Sequence, residues 1–496
     1  MPREKCCCEE NLPRVSCLIV TGAVASVVSK APISMTLYLL AGSLMLSWVA
    51  LYNGAPLVFP DTISYATSAY RLEVPGLFSI FYSFFILPFH WGVSFWPVVF
   101  VQGAVVAHLL LLTARSVLNG RVDMLEMLLI VGALGVFSSL PWVTGQMLPD
   151  VFTPVVLLSI FLLAFSENNL TRTEIFYVSA LAVLAIATHL SHVPIACGLI
   201  VLAISMKFLL LRDQFRPGSL SLRLGLPLCI AIVLLVGANW ISSREVGLSR
   251  NSNVFLLAKW IDEGPALSYL KRTCPSTGYA LCRHLKDLEG KTHDDLKWGH
   301  NSPFHKVGTF DQLEPEARSI VRATFWTYPS AIVRQALANV GLQFTRFQAG
   351  DGLSPQFAEM VGRHVGGIFG PAVGNAFIDS KQGHGHLPIS EFRFVHLVSL
   401  GIAAAVCVAS IAFWRNALPV KLGALLSFVV LGIAWNAIVT GAVSGPYDRY
   451  LARVIWRVCF VALLLARGAR KDKRVLPGRR FGLRQSAGLG QCDPAR

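Results

Sequence analysis

The sequence predicts an all-α polytopic membrane protein, with about ten transmembrane helices and one mostly helical domain on the outer, periplasmic face. Two observations predict it. Hydrophobic residues make up 54% of the 496 and charged ones only 14%, against about 25% charged for a soluble domain. Mean hydropathy is +0.57, which excludes a soluble globular fold for most of the chain. The second observation is an asymmetry. Apolar runs of about 15–25 residues, the order of length needed to cross a bilayer, recur along the chain but give way between Arg244 and Phe392 to one polar insert.

In chain order, residues 1–32 read as a cytoplasmic or interfacial leader. Ser16–Val28 is apolar but short, and Glu9 and Glu10 spoil the positive start that a signal peptide needs. The expected spans are Ile33–Val58, Gly92–Ala114, Met124–Leu140, Val151–Phe165 and Ile175–Thr188. They continue with Ile195–Leu211, Leu224–Ser242, Phe394–Trp414, Val420–Val443 and Leu451–Ala466. Several fall short of about 20 residues, so tilt or shelter by neighbours must make up the difference. Gly76–His90 is apolar but carries Pro88 and many Phe, and reads as an interfacial or re-entrant segment. The organisation is therefore an N-terminal transmembrane module, 33–243, with external loops 59–91 and 141–150. A periplasmic domain, 244–392, follows, then a C-terminal transmembrane module, 393–466, and a basic cytoplasmic tail, 467–496.

Sidedness follows from the loops. The net charge of +15 would point to nucleic acid if it lay on one polar surface, but much of it sits in short connections. Arg115 and Arg121, Arg172, Arg212, Arg216 and Arg223, then Arg415 and Lys421, occupy alternate loops. Pro141–Asp150 and His189–Pro194 contain neither Lys nor Arg. Positive residues collect on the cytoplasmic side, so both termini are expected in the cytoplasm and the insert outside it. That orientation gives a multi-pass membrane protein. In the outward insert, Cys274 and Cys282 lie eight positions apart in a compartment where disulfides persist. They can close a small loop; two free thiols are the alternative.

Three polar clusters fall at the outer mouths of apolar helices. They are Pro60-Asp61-Thr62-Ile63-Ser64-Tyr65, Gly145-Gln146-Met147-Leu148-Pro149-Asp150, and Gly445-Pro446-Tyr447-Asp448-Arg449-Tyr450, the last running on to Arg453. A partly desolvated carboxylate has its pKa raised and can take a proton from an incoming hydroxyl. Arginine holds a phosphate through paired hydrogen bonds that lysine does not match. Asp61 and Asp150 are thus the candidate catalytic residues, and Arg449 and Arg453 the candidate phosphate ligands. His189 and His192 flank a turn in the same layer; the spacing is open to hydrogen bonding, phosphate contact or a metal, and no metal is assigned. No Gly-rich phosphate loop precedes a strand, and no Gly-x-Ser-x-Gly elbow occurs.

This arrangement resembles the GT-C superfamily of integral-membrane glycosyltransferases, whose donors are polyprenyl-phosphate-linked sugars. Members typically carry an acidic residue early in the first external loop, the place of Asp61, and often a second in the next, the place of Asp150. Gly76-Leu-Phe-Ser-Ile-Phe-Tyr and Val98-Val-Phe-Val-Gln102-Gly-Ala are similar to the membrane segment that follows in many bacterial members. The likeness is best over Ile33–Leu211. Many members have Asp-Glu or Asp-x-Asp in the first loop, whereas here Thr62 and Ile63 follow Asp61, so Asp61 stands alone as base and a divalent cation is left open. The resemblance implies transfer of a sugar from a polyprenyl-phosphate donor to an extracytoplasmic lipid, glycan or protein. A transporter or flippase of a lipid-linked sugar is the alternative, as is a polysaccharide polymerase. The scarcity of mid-span charges and the lack of matching halves argue against transport.

Overall fold

The computed structural model describes residues 35–120, 122–274, 276–414 and 418–473. The leader, 1–32, and most of the basic tail lie outside the described residues. Helix makes up 76% of the structure, and no strand occurs among the described residues. Among the described residues, five helices are long and apolar enough to cross a membrane: α5 (Trp96–Val117), α10 (His192–Leu210), α11 (Pro217–Ser243), α20 (Ile389–Trp414) and α21 (Val420–Val443).

Other expected spans take shorter forms. Ile33–Val58 is not one helix. It forms α1 (Met35–Leu46), bends at Ser47, and resumes as α2 (Trp48–Asn53), which ends on left-handed Gly54. The bend sits where Ser43 and Ser47 turn their hydroxyls to the Phe100 and Val99 carbonyls of α5. Such side-chain bonds compete with the helical ladder. Met124–Leu140 ends as α6 (Met124–Phe137) at extended Ser138, before a short α7 (Leu140–Thr144). Leu451–Ala466 is likewise interrupted, dividing at Trp456 between α22 (Asp448–Ile455) and α23 (Arg457–Lys473).

Burial explains how the short helices persist. All 14 residues of α8 (Phe152–Phe165) are buried, and a helix that is apolar on every side belongs in an interior. It packs against α5, α9 (Arg172–Ala187), α10, α11 and α21. By contrast α20 buries only 17% of its apolar window and exposes Phe394, Leu397, Ile402, Val408 and Ile411. That is a surface for lipid rather than water. Local signals set the ends. Thr171 and Glu174 form a reciprocal capping box at the start of α9, and α11 opens with Pro217, which is preorganised for a first turn.

Before the third polar cluster the chain forms α3 (Thr62–Arg71) and α4 (Ile80–His90), the latter holding Pro88, over the segment read as interfacial. Residues 244–392 pack in two parts. Helices α12 (Ser252–Asp262), α13 (Pro265–Thr273), α14 (His293–Trp298), α15 (Pro303–Val307) and α16 (Phe310–Thr327) enclose their own core of Val254, Leu257, Leu270, Leu281, Phe304 and Ile320. Cys274 and Cys282 are disulfide-bonded beside it. The second part behaves differently. Helix α17 (Pro329–Gln343) packs on α21, and α18 (Pro355–Phe369) and α19 (Pro371–Ile378) send Ala358, Val361, Val365 and Phe377 into the main core. Alternating small residues allow this: a Cβ on Gly374 would collide with the Gly362 carbonyl. The insert is one sequence segment serving two bodies of packing.

Candidate functional site

The first two polar clusters are bound to each other by backbone. Leu57 and Gln146 form a parallel bridge, in which the Leu57 amide donates to the Gly145 carbonyl (2.9 Å) and the Met147 amide to the Leu57 carbonyl (2.9 Å). Two glutamines finish the joint. Gln102 of α5 donates to the Thr144 and Gln146 carbonyls and accepts from the Tyr82 hydroxyl. Gln382 donates to the Val58 carbonyl and accepts from its amide. Buried extended backbone needs such partners, and neutral side chains supply them without adding charge. Asp61, at the mouth of α3, and Asp150, in the turn Pro149–Val151, are thereby carried on one rigid double loop.

The third cluster closes on this loop. Arg453 Nη1 donates to Asp150 Oδ1 at 2.6 Å, and Arg453 Nη2 to Asn436 Oδ1 at 3.3 Å. Arg449 Nη1 lies 4.0 Å from Asp61 Oδ2 and donates through Nη2 to the Tyr450 hydroxyl. Its guanidinium also covers the Phe59 ring at 4.4 Å and the Tyr450 ring at 5.0 Å. The two pairs are unequal. Arg453 and Asp150 are buried and tightly joined, while Asp61 and Arg449 are looser, with 23% and 20% of their side chains exposed. Burial raises the Asp61 carboxyl above its ordinary value, and the Arg449 cation only partly offsets this.

Two of the expected phosphate ligands, Arg453 and His192, have partners inside the protein: the Arg453 charge is matched by Asp150. His192 is fully buried; its Nδ1 donates to the Ala185 carbonyl (2.6 Å) and the Thr153 hydroxyl donates to its Nε2 (2.8 Å). Both ring nitrogens are thus committed to holding α9, α8 and α10 together, and neither can meet a phosphate. His189 stays near the site, within electrostatic reach of Asp150 and Arg453, and pairs with Ser191. Burial, with the Arg453 cation assisting, pushes it down to about 4, so the ring is neutral at physiological pH. It can hydrogen-bond a ligand there but brings no positive charge.

The structure adds groups that the sequence reading passed over. The insert reaches the site through α14. Asp262 Oδ2 lies 2.7 Å from His293 Nδ1, His293 Nε2 lies 2.5 Å from the Tyr447 hydroxyl, and that hydroxyl donates to Asp294 Oδ2 at 3.1 Å. Lys297 pairs with Asp294, and both act electrostatically on Asp61. The loop after α17 is fastened from the other side. Gln348 N–H donates to Asp448 Oδ1 (2.9 Å), and Arg449 N–H to Asp351 Oδ2 (3.1 Å). Asp351 and Gln348 thereby line, with Asp150 and Arg449, a small cleft of about 20 Å³. Among the described residues, no group of three or more His, Cys, Asp or Glu side chains is arranged to hold a metal ion.

The chain matches no known family model, no curated protein and no solved structure.

Proposed function

We propose that the protein is a GT-C-like glycosyltransferase of a bacterial inner membrane, moving a sugar from a polyprenyl-phosphate donor to an extracytoplasmic lipid, glycan or protein. In this reading about ten helices cross the bilayer, the shorter ones sheltered by neighbours. Both termini are cytoplasmic, and the cleft opens outward. The observation that carries it is the position of Arg449, which lies 4.0 Å from Asp61 and lines one cleft with Asp150 and Arg453.

Each group has a role. Asp61, largely buried and held at 4.0 Å from its cation, is the base. It takes the proton of the acceptor hydroxyl as that oxygen bonds to the anomeric carbon. The bond from this carbon to the donor phosphate breaks, and its electron pair stays on the phosphate oxygen. Arg449, with a guanidinium partly open to solvent, stabilises the charge that develops there. Asp150 and Arg453 orient this pair rather than touch the reacting atoms. Tyr450 lies within about 5 Å of both guanidinium groups, at 5.0 and 5.1 Å, and fixes their spacing.

The test is transfer by the purified protein in lipid nanodiscs, supplied with polyprenyl-phosphate sugars and an envelope glycolipid fraction. Wild type should yield a glycosylated acceptor and free polyprenyl phosphate in equal amounts, and Asp61→Asn neither. Movement of intact donor between leaflets without its consumption would instead identify a flippase.

A further inference from the structure

Helix α17 is built inside out. Val333, Leu337, Gly341 and Phe344, spaced three or four apart, share one exposed side of the helix and its last turn, with Leu337 at 67% exposure. The side packed on the protein is polar. Asn339 and Gln343 are buried there. Asn339 Nδ2 donates to Glu263 Oε1 at 2.6 Å, while Gln343 donates to the Tyr447 carbonyl (2.9 Å) and accepts from its amide (3.1 Å). A surface helix in water has the opposite pattern. Just ahead of it, at the end of α16, the rings of Phe325 and Trp326 meet edge to face at 5.3 Å, and both are exposed.

Two features say what covers this face. The first is its neighbour. Helix α17 packs on α21 so closely that a Cβ on Gly441 would come within 2.9 Å of Val340 Cα. Helix α21 is long and apolar enough to cross a membrane, and it exposes Val430, Leu431, Ile438 and Val443 of its own. The second is charge. Residues 317–350 contain four arginines and no Lys, Asp or Glu. Arg318 and Arg346 pair with Glu314 and Asp448 at 3.4 and 3.6 Å, whereas Arg322 and Arg334 are exposed and form no salt bridge among the described residues. Apolar side chains beside a span, a tryptophan at their edge and free arginines are the marks of a helix lying in a membrane interface. An acidic protein partner would account for the arginines but not for the continuity with α21.

We infer that α17 rests in one leaflet of the bilayer, its apolar side among acyl chains and Arg322 and Arg334 on the headgroups of anionic phospholipids. With 15 residues the helix is about 22 Å long, too short to cross a hydrocarbon core of about 30 Å. Arginine suits the headgroup position, because its stem lies along apolar surface while its guanidinium reaches phosphate. The contact bears on the cleft. Gln343 fastens the start of the third polar cluster, and Gln348 and Asp351 follow it into the cleft wall, so the membrane steadies the helix that holds them. None of this depends on the glycosyl-transfer reading.

Full-length protein is reconstituted in nanodiscs of phosphatidylcholine and phosphatidylglycerol, one copy per disc, with a trace of phosphatidylcholine carrying a photoreactive acyl chain. After photolysis, peptide mass spectrometry should find label on 325–344 as well as on α20, the lipid-exposed control. Label on α20 with none on 325–344 would overturn the inference and leave the face to a protein partner or a second copy. Native mass spectrometry then compares retention of the two phospholipids. Wild type should retain phosphatidylglycerol over phosphatidylcholine, and Arg322→Gln with Arg334→Gln should reduce that preference on the order of 10-fold. Lysine at both positions should keep most of it. Equal preference in wild type and the glutamine variant would overturn the headgroup assignment. Both readouts are independent of turnover, so loss of the transfer reading would leave them unchanged.

Discussion

Arg453 Nη1 sits 2.6 Å from Asp150 Oδ1, a contact between residues 303 positions apart that joins the last helices to the turn Pro149–Val151. With both groups buried, the pair stabilises the fold mainly because either member alone would be an unmatched charge. Arg453→Met or Asp150→Leu alone should lower stability by about 3–5 kcal/mol. The double variant should recover much of that loss. Thermal unfolding in detergent measures this, and additive losses in the double variant would contradict the pairing.

Asp61 should behave in the opposite way. Asp61→Asn should cut turnover by at least the 10²–10⁴-fold typical of a general base, with stability unchanged or slightly raised because a partly desolvated charge is removed. Activity and unfolding temperature measured on the same preparation separate the two effects.

The raised pKa of Asp61 fixes the sign of two pH effects. Transfer needs the ionised carboxylate, so the acid limb of kcat/KM should lie above the ordinary carboxylate range and activity should rise with pH through it. Stability should move the other way. Between the ordinary and the raised pKa the native state binds more protons than the unfolded chain, so stability is lost as pH rises across that window. Asp61→Asn should flatten the stability trend.

The hydrogen-bonded series Asp262, His293 and Tyr447 ties α14 to the start of α22. Tyr447→Phe removes its central hydroxyl and leaves Asp294 without that donor. The expected cost is about 1–3 kcal/mol, felt locally. Hydrogen exchange over 293–298 should quicken, while the disulfide-bearing core around Leu270 stays protected.

Much of the site could be read from sequence because its charges stand out against apolar surroundings. Asp61, Asp150, Arg449 and Arg453 each interrupt or border an apolar run, and a charge in such a place invites explanation. Which arginine meets which aspartate was not legible, because it depends on the packing of helices hundreds of residues apart. The neutral partners were missed for a related reason: Gln102 and Gln382 carry no periodic or charge signal, yet they fix the loops. His192 misled because His-x-x-His spacing looks the same whether the second ring faces a pocket or the α8 backbone. The helix breaks at Ser47 and Trp456 were hidden inside continuous apolar runs, where hydropathy registers burial and not backbone direction.

The most direct measurement is the glycolipid and polysaccharide profile, by mass spectrometry, of a strain lacking this protein and complemented with wild type or Asp61→Asn. The deletion should lack one defined sugar on one envelope molecule, restored by wild type and not by the variant. An unchanged profile, or restoration by Asp61→Asn, would contradict the account.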